Sequence, residues 1–302
     1  MPGVGRFRAV RFIFRYYGKY ENYQKRGNRM IKMVAVDMDG TFLNDKRQYD
    51  KAMFLSLFKQ MKTRHIRFVA ASGSQYQRLR HEFAEVADQM DYISQNGAIV
   101  HSGNQLQHIE AISDEEVHNV IQLLRQTFKP GLINQEVVSG LHGTYVNRDM
   151  DPEVLKIVKY YYRPVISVDN LATIAAKKVK DQFTKLAISF TPGINFDRAS
   201  AKLAKVLPDK LTNETSGFNT DLVGSANATK RSGIRILQDH YQIADDELMT
   251  FGDNENDLSM LTMTPNSFAM KNAGDKIRQA ASHVTQLDNN HNGVLETLKM
   301  AL

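Results

Sequence analysis

The feature that most constrains this chain is a rhythm of elements that starts, stops and starts again. Residues 31–36 (Ile-Lys-Met-Val-Ala-Val) are a short apolar, β-branched run, the pattern of a strand buried on both faces. Phe54, Leu57, Phe58 and Met61 then recur at helical spacing, so residues 51–62 read as an amphipathic helix. A second apolar run covers 66–71, residues 75–87 read as a helix, and residues 91–94 read as a third strand closed by Asn96-Gly97. Strand, helix, strand, helix, strand at this pace predicts a parallel sheet with crossover helices.

After residue 97 the rhythm breaks. Residues 98–101 and 106–109 flank Ser-Gly-Asn and read as a hairpin. Ser113-Asp-Glu-Glu116 has the form of a capping box, and Val117, Val120, Ile121 and Leu124 follow at helical spacing. Asp151-Pro152 opens another helix, with proline at its favoured first position. A strand is expected over 183–190 and a helix over 196–206. The βα rhythm returns near residue 228: helix 228–241, strand 248–251, helix 254–261, and short strands at 267–270 and 283–285 around a helix starting near Asp275. The expected architecture is α/β, a doubly wound parallel-sheet core (30–111 and 218–302) with an inserted α+β domain (112–217).

In doubly wound sheets, ligands collect beyond the carboxyl ends of the strands. The first strand ends in Asp37-Met-Asp39-Gly-Thr41, the second in Ser72-Gly73-Ser74, and one in the second half in Gly252-Asp253-Asn-Glu-Asn256-Asp257. Lys230 opens a helix just before that last strand. Each piece alone has an ordinary reading. Asp-x-Asp-Gly forms turns, Ser-Gly is loop chemistry, and a lone lysine is a solvated charge. A calcium loop is disfavoured because Leu258, not glycine, follows Asp257. The combination is informative: hard oxygen ligands from two strands, a hydroxyl and an ammonium suit Mg²⁺ together with a phosphoryl group.

"DMDGT", "ASG", "TK" before a helix and "GDNEND" stand in the order of the four motifs of the haloacid dehalogenase (HAD) superfamily. The insertion after Asn96-Gly97-Ala98 resembles the Cof-type phosphatases, and "FAMKNA" (268–273) resembles that group's late core segment. The resemblance spans residues 31–302, the middle domain by position and α+β character only. It implies an aspartyl-phosphate mechanism. Asp37 would be the nucleophile and Asp39 the general acid, then base. Mg²⁺ would be held by Asp37, Asp253 and the Asp39 carbonyl. Ser72, Gly73 and Asn256 would bind phosphate oxygens. Lys230 would offset negative charge at Asp37 and the phosphoryl group, and Asp257 would orient Lys230 or a metal-bound water. The family usually has arginine where Ser74 stands and glycine where Arg231 stands. Neither change removes a catalytic group, and both alter the rim of the site.

The expected activity is Mg²⁺-dependent hydrolysis of small phosphorylated metabolites of the sugar-phosphate type, with the inserted domain as a lid. Tyr145, Arg148 and Lys185 are its candidate contacts. A phosphomutase would use the same aspartyl-phosphate. A non-catalytic protein acting through a basic arm is the third reading, and a silenced site should have lost an acid that this one keeps.

The charge balance sets the arm apart. Of 39 bases and 33 acids, eight bases and one acid lie in residues 1–29, leaving 31 bases and 32 acids in the rest. The body is nearly neutral, so the net charge of +6 argues neither for nucleic acid nor for a membrane as its partner. Phe7, Val10, Phe14 and Tyr17 permit a basic amphipathic helix in the arm. It holds neither an unbroken apolar stretch nor a serine, which argues against a secretory or transit signal. The expectation is a poorly ordered or non-native segment ahead of a natural-looking start at Met30. No run of 18 apolar residues occurs, and cysteine is absent, which fits a reducing cytoplasm.

Overall fold

The computed structural model describes residues 30–216 and 219–302; the reading of residues 1–29 lies outside them. The chain divides into two compact units. One holds the described residues up to Phe68 with Gln242–Asn254 and Leu261–Leu302, and the other holds Val69–Tyr241 with Glu255–Met260.

In the first unit, strands Met33–Val36, Leu248–Gly252, Asn266–Ala269 and His283–Val284 run parallel, each beside the next. Every residue of Met33–Val36 is buried, as a run without polar alternation requires of a parallel strand covered on both faces. The helix expected over 51–62 is Lys51–Thr63, capped by the Asp50 carboxylate accepting from the Met53 N–H. It buries Phe54, Leu57, Phe58 and Met61. Phe54 packs edge-on against Phe42 and stands within ring contact of Phe58 and Phe68. The C-terminal helix Gly293–Ala301, which apolar periodicity did not single out, buries Val294, Leu295 and Leu298 and lies against Lys51–Thr63.

The second unit holds two sheets. In one, Arg67–Ala71, whose first two residues belong to the first unit, pairs in parallel with Asp91–Ser94. Ile99–Ser102 and Gln105–Ile109 continue from it as an antiparallel hairpin. The other sheet has six strands in the order Leu211–Thr215, Thr220–Ser225, Phe183–Phe190, Ile133–Gly140, Thr144–Asn147, Val165–Val168. Its neighbours are antiparallel except the last pair.

All eight residues of Phe183–Phe190 are buried, because both faces of this strand are covered. Leu186, Ile188 and Phe190 pack with Val120, Ile121, Leu124 and Leu203, from helices Asp114–Thr127 and Phe196–Val206. Ala187 points the other way, toward Val137, Val146 and Val158, the last on helix Pro152–Tyr161. The capping box at Ser113 forms as expected, with Ser113 and Glu116 satisfying each other's backbone N–H.

Two expected helices are shorter than their patterns. The one expected over 75–87 is Tyr76–Glu82, after which the chain turns to bury Phe83, Val86 and Ala87 together. The one expected over 254–261 begins as a single 3₁₀ turn at Glu255–Asp257 before Leu258–Leu261.

Candidate active site

In the first unit the site grows from the end of strand Met33–Val36. The Asp37 N–H still donates to the Phe251 carbonyl at 3.0 Å, which prolongs the strand ladder by one residue. The chain then folds back on itself, with Phe42 N–H bonded to the Asp37 carbonyl and Leu43 N–H to the Met38 carbonyl. Gly40 sits at φ +84°, and a Cβ there would come within 2.6 Å of the Asp253 carboxylate. Only glycine provides both that conformation and that clearance. Thr41 Oγ1 donates to Asp253 Oδ1, and Asn272 Nδ2 secures the turn through the Gly40 carbonyl at 2.8 Å. Asp37 is buried, Asp39 is exposed and Asp253 half-buried.

Carboxylate oxygens of Asp37 and Asp253 lie within 4.8 Å of each other. Two acids this close repel as anions unless a cation or a proton stands with them. An all-oxygen donor set on a rigid strand end is the chemistry of a hard divalent cation, so the residues present fit a metal ion of that kind.

In the second unit, Ser72, Gly73, Asn96 and Asn256 gather. Ser72 follows strand Arg67–Ala71, is buried, and has its backbone clamped on both sides: its N–H donates to the Ile93 carbonyl at 2.8 Å and its carbonyl accepts from Asn96 N–H at 2.9 Å. Its Oγ accepts the Ser74 N–H at 3.1 Å, leaving the hydroxyl proton to be given to an acceptor. A Cβ on Gly73 would lie 3.2 Å from Asn96 Oδ1, and Asn256 Nδ2 approaches that oxygen at 3.4 Å.

Lys230 opens helix Lys230–Tyr241 and is fully buried, with Nζ 2.7 Å from Asp257 Oδ1. The helix start is capped by Thr229 Oγ1 accepting from Ser232 N–H at 3.0 Å. Glycines let this helix sit close: a side chain on Gly97 would collide with the Thr229 carbonyl, and one on Gly233 with Ile93. The tight turn Glu255–Asp257 sends the adjacent side chains Asn256 and Asp257 to separate partners, Asn96 and Lys230. At the two positions where the family pattern is altered, Ser74 is half-buried and Arg231 exposed.

Two participants went unassigned in the sequence. Asn96 appears there only as half of an Asn-Gly turn; its position beyond the carboxyl end of Asp91–Ser94 was the available signal. Glu214, which accepts from Asn96 Nδ2, carries none. Of the candidate lid contacts, Tyr145 is buried and gives its hydroxyl to Asp181 at 2.8 Å. Arg148 is exposed and paired with Asp169. Lys185 is buried beside Glu214, Nζ to Oε2 3.7 Å.

These features define a class: an α/β protein with acids at the ends of parallel strands and an inserted α+β cap. Comparison with known proteins is specific. Residues 34–298 match the model of the haloacid dehalogenase-like hydrolase family. The chain is 31% identical to the 5-amino-6-(5-phospho-D-ribitylamino)uracil phosphatase YbjI of Escherichia coli, over 90% of this chain and 96% of that protein. It is 25% identical to phosphatase YwpJ of Bacillus subtilis, over 90% of this chain and all of that protein. Among solved structures it resembles SMU.1108c of Streptococcus mutans, with a TM-score of 0.76 and 28% identity, covering 89% of this chain and 98% of that one. The chain belongs to the haloacid dehalogenase-like hydrolases and is a phosphatase of their Cof type. Among the described residues, no helix is long and apolar enough to cross a membrane.

Proposed function

We propose that this phosphatase hydrolyses small phosphorylated metabolites of the sugar-phosphate type, through a phosphoenzyme on Asp37 and with Mg²⁺ as its metal. The observation that carries this reading is the Asp37–Asp253 pair, two carboxylates held within 4.8 Å at neighbouring strand ends by a turn that needs Gly40. Asp37, Asp253 and the Asp39 carbonyl would hold the ion. When bound, Mg²⁺ supplies the positive charge that lets an anionic carboxylate approach an anionic phosphoryl group.

An Asp37 oxygen attacks phosphorus, and the bond from phosphorus to the substrate oxygen breaks. Asp39, exposed at the end of the turn, gives its proton to the departing alkoxide. Asp39 then takes a proton from a water molecule, whose oxygen attacks phosphorus and releases inorganic phosphate and the Asp37 carboxylate. Ser72 Oγ, the Gly73 backbone and the Asn256 amide would donate to phosphoryl oxygens, and Lys230, held in place by Asp257, would supply fixed positive charge. Residues 112–217 would cover the substrate and keep bulk water out.

Phosphate release from a panel of phosphomonoesters, with and without EDTA, tests this directly. Activity lost in chelator and restored by Mg²⁺ is the expected result, and full activity in chelator overturns the metal's role. Acid-labile labelling of the wild type but not of Asp37→Asn tests the nucleophile.

A further inference from the structure

Lys185 and Glu214 belong to different strands of the six-stranded sheet and meet across the strand between them. Lys185 pairs with Gly224, and Gly224 pairs with Thr212, two residues from Glu214 on the same face. Gly224 makes this contact possible. A Cβ there would lie 3.3 Å from the Lys185 side chain, so its absence lets the lysine stem lie over the strand and bring Nζ to 3.7 Å from Glu214 Oε2. The same Glu214 oxygen accepts from Asn96 Nδ2, and Asn96 Oδ1 stands beside Gly73 and Asn256. One amide group therefore separates the Lys185–Glu214 pair from the residues assigned to the phosphate. Lys185 is almost fully buried, while Glu214 keeps 27% of its side chain accessible.

A buried ammonium and a partly accessible carboxylate, side by side, form a donor and an acceptor with little net charge. A hydroxyl group matches both, since it can accept from Nζ and donate to the carboxylate. A second anionic group matches neither well, because Glu214 repels it and already neutralises Lys185.

Building on the phosphatase reading, we propose that Lys185 and Glu214 form the subsite for the leaving-group end of the substrate and select a phosphomonoester whose leaving group is uncharged and hydroxyl-rich over one with a second anionic group. Selectivity arises because a substrate without hydroxyls leaves this buried pair unmatched. Asn96 joins the two ends of the site by touching both the phosphate-binding loop and Glu214.

The test compares kcat/KM for sorbitol 6-phosphate, 3-phosphoglycerate and p-nitrophenyl phosphate in the full chain with Mg²⁺. The wild type should favour sorbitol 6-phosphate over 3-phosphoglycerate by more than about tenfold. Glu214→Gln, which keeps an acceptor for Asn96, should cut that preference about tenfold, chiefly through KM. Lys185→Met should lower the ratio of sorbitol 6-phosphate to p-nitrophenyl phosphate by a similar factor; if it does not fold, Glu214→Gln carries the test. A wild type that prefers 3-phosphoglycerate, or ratios within twofold of wild type in the folded variants, overturns the subsite while leaving the phosphatase reading intact. No phosphate release from any of the three by the wild type overturns that reading, and the subsite with it.

Discussion

Two charged pairs in this protein show opposite designs. Asp37 and Asp253 are like charges held close in the first unit. Lys230 and Asp257 are opposite charges, fully buried and 2.7 Å apart in the second. In the second pair the mutual attraction offsets much of the cost of taking both groups out of water. The carboxylates of the first pair repel each other as anions, and the turn, with Gly40 and Thr41 arranged around Asp253, holds them close. Opposite charges in contact hold a position, and like charges held close suit a cation between them.

The sharpest way to break this contrast is Asp37→Asn. It removes the proposed nucleophile and should lower phosphate release by at least about 10⁴-fold, measured by steady-state assay. Near-normal turnover would refute the assignment.

Asp257→Asn attacks the ion pair. It leaves Lys230 buried against a neutral amide, so stability should fall by about 3–5 kcal/mol in urea denaturation, with or without Mg²⁺. A loss under about 1 kcal/mol would mean that the pair is not structurally required.

The Asp37–Asp253 pair should respond to metal instead. Mg²⁺ at about 100 times its Kd should stabilise the wild type by about 2.7 kcal/mol, read as a rise in Tm. Asp253→Asn should lose most of that rise and be less destabilised than Asp257→Asn in chelator. Equal Mg²⁺ shifts in wild type and Asp253→Asn would contradict the metal assignment.

The smallest effect concerns a third buried polar group, His101. Its ring stacks on Tyr76 at 3.7 Å, and its Nδ1 has no hydrogen-bond partner among the described residues. Burial, and secondarily the charge of Arg80, push its pKa down to about 4. The unfolded chain, with a value near ~6.5, therefore binds more protons between these two values. The stability contributed by neutral His101 is fully present above about pH 6.5 and is lost as pH falls toward 4. His101→Phe should flatten the Tm profile across that window; an unchanged slope would place the acid sensitivity elsewhere.

Much of the fold was legible because periodicity reports burial. Strand Asp91–Ser94, strand Phe183–Phe190, helix Phe196–Val206 and the caps at Ser113 and Asp151 stand where apolar spacing and capping chemistry put them. The strands Ile133–Gly140, Thr144–Asn147, Val165–Val168, Leu211–Thr215 and Thr220–Ser225 were not resolved individually. Leu211–Thr215 and Val165–Val168 are edge strands, only one of whose residues is buried, with little apolar alternation, so propensity had little to report. Of the candidate site residues, the strand-end acids were legible as a set because doubly wound topology says where ligands gather.

The sequence alone determined the class of chemistry: acids, a hydroxyl and a lysine at strand ends, in an order that resembles one superfamily. It could do so because the requirements of parallel strands and of tight turns are local and leave their marks on neighbouring residues. Only the tertiary structure decided which side chains meet. Lys230 meets Asp257 across 27 residues, Asn96 meets Glu214 across 118, and Thr41 meets Asp253 across 212. Those distances along the chain carry no periodic signal. The contacts exist because packing of elements, with glycines at 40, 97, 224 and 233 making room, brings remote side chains into the short range over which hydrogen bonds and ion pairs act.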